Sequence, residues 1–210
     1  MVQMFQRKLQ SFSFALTFLA LTGFGCAAHA QVAQQLLHNS DVSIGAFGQF
    51  SGSTSGNGIS QTTSKSVGGE AAYRHSYHWW LGYEAGYAYT RYADYYTGQP
   101  FPYQHNMHEF SGTYLVQGPH ALGFQPFGGV GASALIFSPS LNGGQNVSWQ
   151  GRPGVNFTVG VNHSLLTDHI GVRLQYRGVF YKAPDFGDAA LDTNSFRLTS
   201  EPTVGAYFKF

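Results

Sequence analysis

Cysteine is all but missing from this chain. The single one, Cys26, sits within the first thirty residues, so the fold cannot rest on an internal disulfide. Charge is scarce as well: charged residues make up 10% of the 210 positions, where soluble globular chains carry about 25%. Neither sign dominates, with 11 basic against 10 acidic side chains, which removes the electrostatic case for nucleic acid as a partner. Long apolar runs are lacking too. Past the N-terminal segment no stretch reaches the roughly 18 unbroken apolar residues of a spanning helix, and the mean hydropathy is −0.16.

Aromatic residues, by contrast, reach 16% of the chain, and there are 27 glycines. Low charge with abundant aromatics points to a membrane, while average hydropathy excludes a helical membrane protein. The two agree if only every second residue touches lipid, the arrangement of a transmembrane β-barrel.

The N-terminus reads as a secretory signal peptide: Arg7 and Lys8 without an acid, the apolar run Phe12 to Phe24, then small residues at Ala28 and Ala30. Cleavage after Ala30 is predicted, with residues 31–40 as a short lead and 41–210 as the folded domain. Cys26 leaves a lipoprotein signal as the alternative. Cleavage removes two of the eleven basic residues, none of the ten acids and the only cysteine, leaving nine bases against ten acids.

Eight segments then alternate with period two, the signature of strands. They run roughly Asp41 to Phe50, Lys65 to His75, Trp79 to Tyr92, Met107 to Gln117, Phe124 to Phe137, Gly154 to His163, Ile170 to Phe180, and Phe196 to Phe210. Pro202 removes one ladder donor, so a bulge or a later strand start is expected there. The links alternate in length. Those near His75 to His78, Gly118 to Leu122 and Ser164 to His169 are short. Those at Ser51 to Ser64, Arg91 to Asn106, Ser138 to Pro153 and Lys182 to Ser195 are long. Short turns at one end and long loops at the other mark an outer-membrane barrel; a secreted sandwich has no reason for this regularity. The predicted fold is all-β, an eight-stranded antiparallel up-and-down transmembrane β-barrel.

The chain ends on "TVGAYFKF", with Phe208 and Phe210 on the predicted lipid face. Its last strand is expected to pair with the first, closing the barrel and abolishing both edges. No further domain is expected after it. Together with "GVRLQYRGVFYKAPDF" (Gly171 to Phe186), these features resemble the small eight-stranded outer-membrane barrels, the OmpA/OmpX-like families, over about Asp41 to Phe210. The resemblance implies that Thr203, Gly205, Phe208 and Phe210 act as the C-terminal signal read by the barrel assembly machinery. It also implies outer-membrane lipid and lipopolysaccharide as surroundings. Families of this type include adhesins, resistance proteins, small pores and lipid-modifying enzymes, so fold does not name function.

Alternation places Glu70, Glu84, Glu109 and Glu201 in the lumen with Arg74, Arg173, Arg177 and Lys209, four acids balancing four bases. An eight-stranded barrel is just wide enough to be filled by such side chains. A charge-plugged lumen and a narrow small-solute path lined by the same residues are both open readings. Catalysis and metal binding find little support. His163 and Ser164, like His75 and Ser76, are adjacent and point to opposite faces. His105 and His108, three apart on a strand, do likewise. No catalytic residue, metal site or cofactor is predicted. Trp79, Trp80, Tyr83 and Tyr103 are expected in interfacial girdles, with Tyr89, Tyr92, Tyr95 and Tyr96 at the outer rim; an aromatic sugar platform on the Arg91 to Asn106 loop is the alternative. The functional expectation is a structural or surface-interaction barrel whose long loops meet an extracellular ligand. A channel is the first alternative and a lipid-modifying enzyme the second.

Overall fold

In the computed structural model the described residues are 37–140, 148–167 and 169–210. The predicted leader, Cys26, most of the lead and residues 141–147 of the third long loop lie outside them. Asn39–Phe210 forms one compact unit.

Alternation of apolar and polar residues drives ten strands: β1 (Ser40–Ser51), β2 (Thr54–Gly56), β3 (Ile59–Thr63), β4 (Ser66–His78), β5 (Leu81–Tyr96), β6 (Tyr103–Gln117), β7 (Phe124–Pro139), β8 (Gln150–Thr167), β9 (Ile170–Lys182) and β10 (Phe196–Lys209). All but β2 and β3 form an antiparallel ring in which each strand pairs with its chain neighbour. The ring closes through β1 and β10, from Asp41 opposite Lys209 to Ser51 opposite Thr199. The predicted eight-stranded barrel is therefore the fold. No sheet edge is left in the ring, as a spanning sheet requires.

One parity rule orients every strand. On β5 the even-numbered side chains from Gly82 to Tyr96 turn inward and the odd-numbered ones outward. Outward residues include Ile44, Val67, Phe110, Tyr114, Val130, Val155, Val159, Leu174 and Val204, all more than half exposed. An isolated soluble domain would not leave this surface open; lipid covers it.

Several expectations need correction. The segments expected as long loops carry strand well past the predicted ends. Residues 54–63 fold as the β2–β3 hairpin, which continues the wall through pairing of β3 with β5. Its turn is Asn57–Gly58, both at positive φ (52° and 76°), the two-residue turn that matches strand twist. The link expected at 91–106 shrinks to 97–102, because β5 runs on to Tyr96 and β6 begins at Tyr103. This extension moves Tyr92, Tyr96 and Tyr103 from the expected rim and girdle into the interior, where each is buried. They are thus not available to the alternative sugar platform. Pro202 causes no bulge: it stands in register opposite Tyr176. The β1–β10 ladder lapses between Phe47–Thr203 and Phe50–Ser200 and resumes in the same register, and Pro202 itself faces outward.

Candidate functional site

The lumen is built in layers by inward side chains that the register sets beside or across from one another. Nearest the short turns, Arg74 and Glu84 are direct cross-strand partners. The Arg74 guanidinium donates to Glu84 Oε2 from Nε at 3.1 Å and from Nη2 at 2.7 Å, and it lies 4.1 Å from the centre of the Phe127 ring. Arg173 completes the layer, donating to Asn162 Oδ1 (2.8 Å), Ser43 Oγ (2.9 Å) and Asp41 Oδ1 (2.7 Å). Its Nη1 also stands 3.6 Å from Glu84. Two guanidinium groups meet two carboxylates, so this layer is balanced.

The middle layer centres on Arg177. Glu201 is its neighbour on β10, while Glu109 and Glu70 reach it across the lumen. Arg177 donates to Glu109 Oε1 at 2.7 Å and Glu70 Oε2 at 3.0 Å. Glu201 lies 3.1 Å away without hydrogen-bond alignment. Ser133 donates to Glu109 and Gln175 to Glu70. Glu109 and Glu201 are fully buried. Losing one partner of such a pair leaves an uncompensated charge at a cost of about 3–5 kcal/mol.

Toward the long loops, Asp94 accepts from Arg197 (3.1 Å) and Thr63 (2.6 Å), with His105 Nε2 at 3.6 Å. Above it the lumen turns apolar. Tyr92, Tyr96, Tyr103, Met107, Leu135, Phe137, Val179, Tyr181, Phe186 and Leu191 form one buried cluster. Phe186 and Leu191 come from the 183–195 loop, which folds inward across the mouth as a strap. Phe186 and Gly187 take left-handed φ (54° and 80°), which turns the Phe186 ring down beside His105 (5.0 Å) and Tyr103 (6.5 Å). Burial of that ring, worth about 1.5–3 kcal/mol, offsets the strain of a non-glycine residue at positive φ. Tyr96 donates to Pro184 O, Arg152 and Gln150 hold Asp185, and Asn57 of the hairpin donates to Asp192 O.

The opposite mouth is polar and open. A pocket of about 450 Å³ is lined there by Asn39, Ser40, Asp41, Gln117, His120, Gln125, Tyr207 and Lys209. Lys209 is exposed at this rim and joins no ion pair among the described residues. The expected four-to-four balance therefore does not describe the lumen. Lys209 drops out because Asp41, directly opposite it, pairs with Arg173 instead and leaves the lysine exposed at the rim, and Asp41, Asp94 and Arg197 join. Asp94 and Arg197 could have been found by following the alternation of β5 and β10 to their ends. Phe186 and Leu191 carry no such signal, since a loop has no period.

The other sequence candidates are placed as follows. Gly205 faces Gly45 on β1, and a Cβ there would come within 2.7 Å of Ile44 O. Thr203 is buried, whereas Phe208 and Phe210 are exposed on the outer wall with ring centres 5.2 Å apart. Phe210 N donates to Ser40 O at 2.9 Å. Trp79, Trp80 and Tyr95 are exposed on the outside as expected of interfacial residues. His105 is buried, while His108 meets Tyr87 OH on the outer wall, so the two point apart. Among the described residues no group of three His, Cys, Asp or Glu side chains could hold a metal ion.

Comparison with known proteins gives the same architecture. Neisserial surface protein A superposes with a TM-score of 0.60 at 18% identity, over 82% of this chain and 97% of that one. The outer membrane protein OprG of Pseudomonas aeruginosa gives 0.56 at 16% identity, over 82% and 96%. Ail, the attachment invasion locus protein of Yersinia pestis, solved with the heparin analogue sucrose octasulfate, gives 0.50 at 16%, over 81% and 97%. No curated protein matches the sequence. The family model described as outer membrane protein beta-barrel domain matches residues 16–200. The ring closure, the lipid-facing wall and this match over most of the chain lead to one assignment: the chain belongs to the outer membrane protein β-barrel domain family, proteins of the bacterial outer membrane.

Proposed function

We propose that the protein is a non-conducting, non-catalytic surface-interaction barrel that presents its long-loop end outside the cell. The observation that carries this reading is the apolar seal at that end. Phe186 and Leu191 close the mouth over a lumen whose Arg74, Arg173, Arg177 and Arg197 are each held by carboxylates. A solute path would have to cross both the seal and the ion-paired layers. Among the described residues, the parts left to meet an extracellular ligand are the β2–β3 hairpin, the 97–102 turn and the outer side of the 183–195 strap. Long loops are where barrels of this architecture carry surface function, and the attachment role in the name of Ail accords with this.

Export through a leader cleaved after Ala30 and reading of Thr203, Gly205, Phe208 and Phe210 by the assembly machinery complete the proposal. The exposed Phe208 and Phe210 rings support the second of these. Single-channel recording in planar bilayers tests the central claim. Correctly inserted protein should be electrically silent. Regular, reproducible current steps would overturn the scaffold reading in favour of a small-solute channel lined by residues such as Arg173 and Glu84.

A further inference from the structure

Among the described residues, the short-turn mouth is the part of the lumen that neither an ion-paired layer nor an apolar lid fills. The Arg173–Asp41 layer forms its floor, and the strap closes the far mouth. On the non-conducting reading it is a dead end, so a solute that enters can only bind and leave again.

Register brings the lining together. Asp41 faces Lys209 across the β1–β10 seam, and Gln125 faces Asn162 between β7 and β8. With Gln117 and Tyr207 they line one cavity of about 450 Å³, within the range of small-molecule sites, about 300–1,000 Å³. Gln117, Asn162 and Tyr207 are each more than nine-tenths buried, so the inner lining is fixed by the barrel itself.

Several polar atoms in this lining are left over. Asn162 Oδ1 accepts from Arg173 Nε at 2.8 Å, and its amide nitrogen meets no acceptor among the described residues. Gln125 Nε2 donates to Gln117 Oε1 (3.0 Å) and Gln117 Nε2 to Ser76 Oγ (2.9 Å). That chain leaves Gln125 Oε1 as its open acceptor. Lys209 is held by its backbone: its N–H donates to His169 O (2.7 Å), and its carbonyl accepts from His169 Nδ1 (2.9 Å). Its ammonium joins no ion pair among the described residues. The cavity thus offers a neutral donor, a neutral acceptor and one free cation above a layer whose charges already balance.

We infer that the short-turn mouth binds a small monocarboxylate carrying amide or hydroxyl groups, of the kind and size of a dipeptide or a sugar acid. Lys209 at the rim meets the carboxylate as a compact point charge. Deeper in the cavity, Asn162 donates to a carbonyl or hydroxyl oxygen of the ligand, and Gln125 accepts from its N–H or O–H. One free cation matches one negative charge. A doubly charged phosphate fits less well, because Arg173 has already spent Nε, Nη1 and Nη2 on Asn162, Ser43 and Asp41, and the Asp41 carboxylate stands across from Lys209. In the proposed orientation this mouth opens to the periplasm.

The test is titration calorimetry of the full barrel, extracted from outer membranes in detergent, with N-acetyl-alanyl-alanine and with galacturonic acid, each beside its neutral amide. At least one acid should bind at millimolar concentration or below. It should bind about tenfold more tightly than its amide, as expected of one charge-assisted contact. The preferred acid identifies the source of the ligand as peptide or sugar. K209Q should bind acid and amide alike, and Q125L should weaken both forms together. K65Q, at the other end of the barrel, should keep the acid preference. Mobility of unheated samples checks the fold of each variant. Binding of neither acid would overturn the site, and an undiminished acid preference in K209Q would overturn Lys209 as its anion contact. Binding is read in detergent, so its failure is distinct from failure of the non-conducting reading, which planar-bilayer current decides.

Discussion

The two mouths of this barrel are finished by opposite means. At the long-loop end a strap folds inward, and aromatic and aliphatic side chains from four strands and the strap pack into one apolar cluster above Asp94 and Arg197. At the short-turn end the connections are too short to fold inward. The lumen there opens into a polar pocket of about 450 Å³ whose floor is the Arg173–Asp41 layer. A barrel this narrow fills its own interior, but the filling is hydrophobic only where a loop is long enough to supply the lid. Stability in the middle comes from neither device. It comes from guanidinium groups meeting carboxylates, Arg74 with Glu84 and Arg177 with Glu201 by cross-strand register and the others between strands that are not neighbours.

The largest effect expected from disturbing one end falls on the short-turn side, and it is on assembly rather than on packing. Phe210 adds one backbone hydrogen bond to Ser40 and one ring contact to Phe208. Because its ring is exposed on the outer wall, removing the residue should cost the folded barrel little. If the terminus is read by the assembly machinery, the same deletion should sharply reduce folded protein in the outer membrane while leaving refolding in detergent near normal. Normal membrane levels would remove that role from the terminus. A parallel loss in detergent would make Phe210 a packing residue instead.

At the long-loop end the comparable change is F186A/L191A. Each side chain is almost completely buried, and truncations of this kind cost about 2–5 kcal/mol apiece. The loss should be local, because the strap is tied to the ring mainly by these two side chains and a few hydrogen bonds. Hydrogen exchange should rise steeply across residues 183–195 and hardly at all in β9 and β10. The variant should stay electrically silent, since the layers around Arg197, Arg177 and Arg74 remain. Current steps in this variant alone would assign the whole barrier to the strap, and would show that the ion-paired layers leave a path.

Legibility in the sequence follows the same division. The ring was readable because alternation is periodic, and period two fixes which side chains turn inward once one of them is placed. Arg74, Glu84, Arg173 and Arg177 were found that way. What failed was the ends of strands. The stretch from Tyr92 to Tyr103 is rich in tyrosine, and its aromatics were assigned to the membrane rim. Yet the same alternation that puts Glu84 inside puts Tyr92, Asp94 and Tyr96 inside when carried to the end of β5. Lys209 failed for another reason: parity points it to the open mouth, but Asp41 opposite it pairs with Arg173 instead. The Asn57–Gly58 turn carries a hairpin signal, but the stretch around it, Ser51 to Ser64, was read as one long loop. The strap was not legible, because Phe186 and Leu191 belong to no repeat and their burial is decided by what the mouth lacks.

The smallest expected effect concerns how firmly the strap is held in acid. Asp185 lies in the loop, outside the spanning segments. Its carboxyl is pulled below the usual carboxylate range: burial raises its pKa, but hydrogen bonds from Gly187 N–H and Gln150 and the charge of Arg152 outweigh that effect. A carboxyl with a lowered folded-state pKa stabilises the docked strap fully above its unfolded value, about 3.9. That contribution is lost as pH falls through the lower folded value. Strap protection should therefore be flat from pH 7 to about 5 and decline below about 4, read as cleavage within 183–195 by an acid protease. In D185N the carboxylate is gone at every pH. The strap should then be cleaved somewhat faster throughout, and the acid-dependent step should shrink or vanish. An undiminished acid step in D185N would place the sensitive group elsewhere at this mouth, and would leave the Asp185–Arg152 pair as a surface contact that does not hold the strap.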